Sequence, residues 1–381
     1  MKAGSKAGWA RLAIPGLLAV LAAAIFLTVA SRIDVALGLS ARKGSIMGYA
    51  SPGAGIYISL QRSGKDAWGF FEWPDRLLYG FFSGTASKDE EIRAEIRIPG
   101  KSRPRLILSK PRLNGSAGLR LEGLAESSGN YNLVRSGLPA LGLRSFQGLA
   151  DAERRSIFQA GRILKPLSVT DGAANPGLPF FHIDAFVGIS PEEEDLLDRE
   201  LRLGRDTLAY ARYRWEGVRN DRGRAGTTAR WSPVFVERHF LIPSGTDLYS
   251  VAAERYVFSG GAHGNTTTLF HIVDAGKGKV LGSGDLFIEG WEEALEGKLR
   301  DEALRLLSGS AERRGDSLVA HGFFEERIFP SESIFICRSG VGFHYDRYRL
   351  APYAEGDFAF VVPWKELDGL LNVPGPWGES R

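Results

Sequence analysis

The pattern of apolar and polar residues begins with one long apolar run. Residues 12–30 hold nineteen residues without a charge, just enough for a helix across the hydrocarbon core of a bilayer. Three basic residues precede this run and favour a cytoplasmic N-terminus: Lys2, Lys6 and Arg11. We therefore expect a transmembrane anchor over 12–32, in contact with the lipid bilayer through residues 12–30, with residues 1–11 in the cytoplasm. A cleaved signal peptide is the alternative.

The next part of the chain consists of short alternating stretches. Gly, Pro and Asn residues interrupt residues 56–130, which is typical of β-strands joined by tight turns. The strand candidates are residues 56–60, 77–82, 92–98, 105–108 and 119–121. We therefore expect a small antiparallel β-module over 56–130. A tether over 33–55 precedes it, and a linker with a short helix over 131–180 follows it.

This β-module contains a group of eight aromatic residues between Tyr57 and Phe82. Large rings fill the core of a small β-structure efficiently, because each ring buries a large apolar area. Exposed rings would instead form a face for sugar binding. Both interpretations stay open at the level of sequence.

Residues 181–375 mix strand patterns with helical ones. Ser190 and Pro191 are typical of the first positions of a helix. Apolar residues recur at helical spacing between Trp291 and Leu306, whereas residues 207–215 predict a strand. The predicted fold class is therefore α+β: a C-terminal domain of mixed antiparallel sheet and helices, preceded by the small antiparallel β-module and an N-terminal transmembrane helix.

Composition and charge narrow the function classes. The only cysteine is Cys337, so internal disulfides are excluded. The net charge of +3 is small for 381 residues. A local cluster of arginines is interpreted as part of a solvated loop, and we expect no nucleic-acid partner. The cluster consists of Arg219, Arg222, Arg224 and Arg230. Phosphate loops and dinucleotide motifs are missing, so no cofactor is predicted.

The most distinctive motif is a glycine-rich turn around His263. Its candidate binding residues are Tyr256, Gly260, Gly261, His263 and Asn265. Closely spaced glycines permit positive φ angles and close backbone approach. The turn is interpreted either as a structural turn with a locally bonded His or as a loop that binds a partner.

A third interpretation of this turn is catalytic. A cell-wall hydrolase or esterase would use His263 as base and Ser259 as nucleophile. It would also need a carboxylate that orients the His, such as Asp274 or Asp285. No histidine pair has the spacing of a zinc helix, so no metal site is predicted. Our main expectation is a protein without enzymatic activity.

A second motif follows Val341. Aromatic and arginine side chains dominate binding hot spots, and this segment is rich in both. Its candidate binding residues are His344, Tyr345, Tyr348 and Tyr353. The alternative is a strand followed by a loop that Pro352 fixes.

Several motifs occur in a characteristic order over residues 182–372. They are Gly260-Gly261-Ala262-His263-Gly264, Gly284-Asp285-Leu286-Phe287, Pro352-Tyr353, Ala354-Glu355-Gly356 and Val361-Val362-Pro363-Trp364. This order resembles the extracytoplasmic domain of RsiV-type anti-sigma factors. The same domain family occurs in bacterial envelope proteins of unknown function and beside some peptidoglycan deacetylase domains.

The resemblance implies an α+β fold and, for RsiV-type proteins, binding of lysozyme that leads to release of a sigma factor. We expect neither a cytoplasmic anti-sigma domain nor a deacetylase domain in this chain, so neither activity is carried over. We expect a membrane-anchored extracytoplasmic binding protein of the bacterial envelope. Its candidate ligands are a lysozyme-like protein and peptidoglycan.

Overall fold

The protein is a predominantly β structure. The computed structural model describes residues 39–98, 104–110, 112, 115–124, 128–139, 141–149, 180–188, 190–225, 233–245, 247–260, 263–308 and 317–372. Strands make up 47% of it and helices 22%, so the predicted α+β class is wrong. Within these residues, no helix has the length and apolar character needed to span a membrane. The predicted anchor over 12–32 lies outside the described residues.

Eight antiparallel strands form a closed barrel, β2 to β9 in chain order, and β9 pairs with β2 to close it. The strands are β2 (Ser45–Ser51), β3 (Ile56–Ser63), β4 (Asp66–Trp73), β5 (Leu78–Ala86), β6 (Ile92–Arg97), β7 (Arg105–Leu108), β8 (Ala117–Glu122) and β9 (Gly129–Ser136). Alternate residues point inward and fill the barrel with aliphatic and aromatic side chains.

Strand β4 explains why this barrel was only partly predicted. Phe71 and Trp73 point into the barrel, whereas Trp68 and Phe70 point outward into the core of the neighbouring domain. Both faces are therefore buried, and the strand lacks the alternation that marks a half-exposed strand. The aromatic residues of β4 and β5 are buried and form no exposed sugar-binding face.

The barrel is inserted between two neighbouring strands of a larger sheet. Strand β1 (Leu39–Lys43) precedes the barrel, and β10 (Leu141–Leu149) follows it and pairs with β1. Strands β1 and β2 occupy residues that predicted a tether. The sequence did not reveal these two strands because their stability depends on pairing partners that are distant along the chain. Gly48 of β2, for example, packs so closely on β9 that a Cβ there would lie 2.6 Å from the Ser136 carbonyl oxygen.

The larger sheet has seven strands in the order β1-β10-β11-β12-β13-β14-β15. Its further strands are β11 (Phe180–Gly188), β12 (Val234–Pro243), β13 (Leu248–Phe258), β14 (Asn265–Asp274) and β15 (Lys279–Leu281). Neighbouring strands are antiparallel except β11 and β12, which are parallel. A parallel pair requires a crossover connection, and the chain between these two strands contains two helices.

The described residues form four α-helices beside the sheets. They are α1 (Pro191–Leu201), α2 (Thr207–Ala225), α3 (Ser283–Leu286) and α4 (Trp291–Ser308). Helix α1 begins as predicted, with the Ser190 hydroxyl accepting a hydrogen bond from the Glu193 amide at 3.1 Å. The strand predicted over 207–215 is wrong, because these residues begin α2. Asp206 caps this helix by accepting from the amides of Leu208 and Ala209.

A three-stranded antiparallel sheet completes the structure. It contains β16 (Ile334–Ile336), β17 (Gly340–Tyr345) and β18 (Phe358–Pro363), and α4 packs beside β18. Its apolar side chains share one core with α4, with β12 to β14 and with the outer face of β4 and β5. The barrel and the C-terminal half therefore pack against each other through a common core.

Polar contacts between the barrel and the C-terminal half reinforce this packing. We call the residues that make them the barrel interface: Trp68, Glu72, Tyr79, His239, Glu302, Ser339 and Val361. The buried Glu72 accepts hydrogen bonds from the amide and the hydroxyl of Ser339, both at 2.6 Å. The Tyr79 hydroxyl donates to Glu302 and accepts from the Val361 amide. The Trp68 indole donates to the carbonyl of His239 at 2.8 Å.

Candidate functional site

The glycine-rich turn connects β13 to β14. Tyr256 and Thr266 are paired in register on these strands, and the Tyr256 ring lies against Gly264. A Cβ on Gly264 would approach this ring to 2.4 Å, so the packing requires glycine. Gly260 has a φ of +109° and lies in the same turn. The remaining predicted residues of the turn are Gly261, outside the described residues, and Asn265, exposed at the start of β14.

The second predicted segment is a loop after β17. Asp346 anchors it by accepting from the Thr268 amide at 3.1 Å. Tyr348 then has a φ of +66°, a left-handed conformation that turns the chain and leaves the side chain 59% exposed. The Leu350 carbonyl accepts from the Phe324 amide. These contacts hold the loop at several points along its length.

The turn and the loop meet through their aromatic rings. His263 stacks on Tyr353 with ring centroids 4.2 Å apart and an angle of 26° between the planes. Tyr348 approaches the same tyrosine at 5.3 Å, and the guanidinium of Arg347 lies 4.7 Å from its ring centroid. We call His263, Arg347, Tyr348 and Tyr353 the aromatic corner. It joins residues that are 84 to 90 positions apart along the chain.

One backbone carbonyl fixes the arrangement of these rings. The Gly264 oxygen accepts from the Tyr353 hydroxyl at 2.8 Å and contacts Nδ1 of His263 at 3.0 Å. Because a carbonyl can only accept, Nδ1 carries the proton and donates. The turn therefore positions both rings without any carboxylate.

Two predicted binding residues lie inside the protein instead. His344 and Tyr345 are each 2% exposed, since β17 is buried on both faces. The Tyr345 hydroxyl donates to the Phe329 carbonyl at 2.8 Å. Nε2 of His344 lies 3.5 Å from a carboxylate oxygen of Asp357. These two side chains therefore do not form part of the aromatic corner.

A charged group from the barrel reaches the same region. Arg97 of β6 donates to Glu254 of β13. Burial alone would raise the pKa of Asp357, but the hydrogen bond from His344 and the positive charge of Arg97 lower it below its usual value. Burial also raises the pKa of Tyr256 above its usual value. These charged groups therefore link β6 of the barrel to β13 and to the residue that precedes β18.

The catalytic interpretation requires a carboxylate beside His263. Asp274 lies at the other end of β14, about 30 Å away at the usual rise of a strand, and it pairs with Lys277. Asp285 pairs with Lys279 and accepts from the Gly282 amide. Ser259 is exposed after the end of β13. Neither proposed carboxylate is close enough to orient the imidazole.

The described residues also contain no group of three or more His, Cys, Asp or Glu side chains suited to a metal ion. The contacts of His344 are two carboxylates, Asp346 at 3.8 Å and Asp357 at 3.5 Å.

Two buried charge networks in the seven-stranded sheet were missed by sequence analysis. Asp184 accepts from Ser145, His182 and Arg238. Burial would raise its pKa, but the charges and hydrogen bonds of these partners lower it to about 2. Asp184 and Glu237, acidic residues within apolar strands, were the available sequence signal, since a buried charge needs a partner.

The second network lies on the helix side of the sheet. Glu237 contacts His239, Arg255 and Tyr210, which is on α2. The hydrogen bond and charge of His239, followed by the charge of Arg255, outweigh burial and lower the pKa of Glu237 to about 2. These buried groups are fully engaged with one another, so they serve the fold.

A groove of about 350 Å³ lies on the outer wall of the barrel. Its lining residues are Glu91, Ile107, Ser109, Gly118, Leu119, Arg120, Asn130, Tyr131 and Asn132. Arg120 pairs with Glu122 at 3.2 Å, and the Ser109 hydroxyl accepts from the Gly118 amide. The groove is open and shares no residue with the aromatic corner.

Comparison with known proteins identifies a domain in the C-terminal part of the chain. Residues 284–365 match a family described as "Protein of unknown function (DUF3298)". The chain therefore carries a DUF3298 domain, which spans α4 and β16 to β18 and includes Arg347, Tyr348 and Tyr353. No curated protein matches the chain. The finer resemblance to RsiV-type domains stays a prediction.

Two solved structures of DUF3298 family proteins are similar to this chain. The one from Bacteroides fragilis is 19% identical, covers 63% of this chain and 97% of its own, and gives a TM-score of 0.46. The one from Pseudomonas aeruginosa is 21% identical, covers 53% of this chain and 89% of its own, and gives a TM-score of 0.40. These similarities concern the fold and carry no functional conclusion.

Proposed function

We propose that this chain is a membrane-anchored extracytoplasmic binding protein of the bacterial envelope, and that the aromatic corner binds cell-wall glycan. The observation that carries the proposal is the exposed Tyr348 ring beside the stacked pair of His263 and Tyr353. Rings with one free face suit the apolar face of a sugar, while the polar groups around them bind its hydroxyls.

The contacts between the glycine-rich turn and the loop after β17 support a role of this surface in ligand binding. Most loops exchange conformations freely, and ordering them on binding costs conformational entropy. Here the Gly264 carbonyl and the Asp346 carboxylate already hold the two segments together. A ligand therefore meets a surface that is largely formed in advance.

The anchor and the location are inferred from the sequence. The uncharged run over 12–30 and the basic residues before it favour a single-pass protein whose bulk lies outside the cytoplasm. Cell-wall glycan is present in that compartment. The absence of enzymatic activity is proposed because His263 donates to a carbonyl, where a catalytic base would be oriented by a carboxylate.

A lysozyme-like protein is the second candidate ligand. Its support is the exposure of two further rings of the DUF3298 domain, Phe324 at 53% and Phe329 at 52%. Phe324 lies next to the loop of the aromatic corner through its bond to Leu350. Exposed apolar rings are typical of a protein-binding surface.

Calorimetric titration of the full chain in detergent tests both candidates. The ligands are soluble peptidoglycan fragments and a lysozyme, and the variants are Tyr348→Ala, His263→Ala and Tyr353→Ala. We expect these variants to weaken glycan binding about tenfold or more, while Phe324→Ala leaves it unchanged. Loss of lysozyme binding in Phe324→Ala would favour the second candidate. If wild-type protein binds neither ligand, the proposed function is wrong.

A further inference from the structure

Arg347 differs from five other arginines in the protein's interior. Each of these five holds a carboxylate: Arg97 with Glu254, Arg202 with Asp198, Arg238 with Asp184, Arg255 with Glu237 and Arg305 with Glu302. Arg347 is half-buried and, among the described residues, has no such ion pair. Its Nε atom is buried without a hydrogen-bond partner.

The acidic residue next to Arg347 is engaged elsewhere. Asp346 accepts from the Thr268 amide and lies 3.8 Å from Nδ1 of the buried His344. The backbone carbonyl of the same residue accepts from the Arg349 amide. Asp346 therefore fixes the start of the loop, and the guanidinium of Arg347 is left to the face of Tyr353.

Stacking on a ring does not use the donors of a guanidinium. Arginine has five N–H groups in a planar fork, and this fork matches the two oxygens of a carboxylate. The guanidinium carbon lies 4.7 Å from the centroid of the Tyr353 ring, and this contact restrains the side chain, so less freedom is lost when an anion binds. The exposed Tyr348 ring follows Arg347 directly in the chain and is a neighbour of the same tyrosine.

On this basis we propose that the aromatic corner selects an acidic saccharide, with Arg347 binding the carboxylate and Tyr348 contacting the sugar ring. The inference rests on the proposed glycan function and adds the chemical class of the ligand. It predicts that a cell-wall sugar with a lactyl carboxylate binds better than the same sugar without it. Arg347 is then a specificity-determining residue.

Two matched probes test this selectivity on the full chain in detergent. One is a tetrasaccharide of alternating N-acetylglucosamine and N-acetylmuramic acid, and the other is a tetramer of N-acetylglucosamine alone. The two share the ring and the acetamido group and differ in the lactyl carboxylate. We expect calorimetry to give about tenfold tighter binding of the acidic probe, as for one charge-assisted bidentate contact.

The variants separate charge from packing. Arg347→Gln should lower affinity for the acidic probe to the level of the neutral one and leave the neutral probe unchanged. Arg347→Lys, which keeps the charge without the planar fork, should lie in between. The matched control is Arg349→Gln, an exposed arginine two positions further on, and it should retain the preference.

The outcomes distinguish this inference from the proposed function. Equal affinity of wild-type protein for the two probes, or equal weakening of both by Arg347→Gln, would overturn the selectivity and leave glycan binding in place. Binding of neither probe would overturn the glycan proposal and the inference together. A preference that persists in Arg347→Gln would assign the carboxylate to another residue and contradict the role of Arg347.

Discussion

The aromatic corner and the barrel interface are built from the same kinds of side chain but differ in how far these side chains are buried and paired. In the barrel interface, Trp68 and Tyr79 are buried, and the polar atom of each has a partner in the other half of the protein. In the aromatic corner, Tyr348 is 59% exposed and Arg347 lacks a carboxylate. Residue type alone therefore does not separate structural aromatics from binding aromatics.

The difference lies in where the polar groups find their partners. A buried polar group costs free energy unless it is hydrogen-bonded, so the barrel interface is closed and complete. An exposed ring and an unpaired guanidinium retain their capacity for another molecule. Changes in the barrel interface should therefore act on stability, and changes in the aromatic corner should act on binding.

The largest effect is expected from Trp68→Ala. This substitution empties a fully buried site between the barrel and the sheet and removes the hydrogen bond to the His239 carbonyl. We expect a loss of about 4 kcal/mol in the free energy of unfolding, measured by urea denaturation followed by tryptophan fluorescence and circular dichroism. A loss below about 1 kcal/mol would show that the two halves do not depend on this contact.

Glu72→Ala should have the next largest effect. It leaves the amide and the hydroxyl of Ser339 without their acceptor in a buried position, and we expect a loss of about 3 kcal/mol. The control is Glu122→Ala, which removes an exposed ion pair with Arg120 and should change stability by less than about 1 kcal/mol. Equal effects of the two substitutions would contradict the distinction between buried and exposed partners.

Acidification should lower the free energy of unfolding through protonation of His271. Burial and then the charge of His239 lower the pKa of His271 from 6.5 to about 4. Between these values the unfolded chain binds more protons than the folded one, so stability falls as the pH drops from 6.5 to 4. Denaturation at several pH values should show a loss on the order of 2 kcal/mol, reduced in His271→Gln. A variant with the unchanged pH dependence would contradict this assignment.

The smallest effect on stability is expected in the aromatic corner. Tyr348→Ala removes an exposed side chain from a loop, and we expect a change within about 0.5 kcal/mol. Relief of the positive φ is absent, because alanine adopts that conformation no more readily than tyrosine. A destabilisation comparable to that of Trp68→Ala would show that the ring is structural.

Local signals predicted part of this fold well. The capping chemistry of Ser190 and the helical spacing after Trp291 identified α1 and α4, because both depend on neighbouring residues. Most barrel strands with one exposed face were also recognised. Strand β4 was missed because its second face is covered by a distant part of the chain. Helix α2 was mistaken for a strand because Tyr213 and Trp215 alternate with arginines, as apolar and polar residues do in a strand.

The candidate site was predicted in its components and not in its geometry. The sequence indicated His263, Tyr348 and Tyr353, and the structure brings these three together. It also indicated His344 and Tyr345, which are buried because β17 has no exposed face. Arg347 was not singled out, since its unpaired state depends on where the surrounding carboxylates lie in space.

The decisive measurement of whether the aromatic corner is the binding surface is titration of the full chain in detergent with soluble peptidoglycan fragments. It compares the wild-type protein with Tyr348→Ala. Circular dichroism and urea denaturation of both proteins establish that the fold is equal. We expect the wild-type protein to bind and the variant, equally stable, to bind about tenfold or more weakly. Equal binding by the two proteins would contradict the assignment of the aromatic corner as the binding surface.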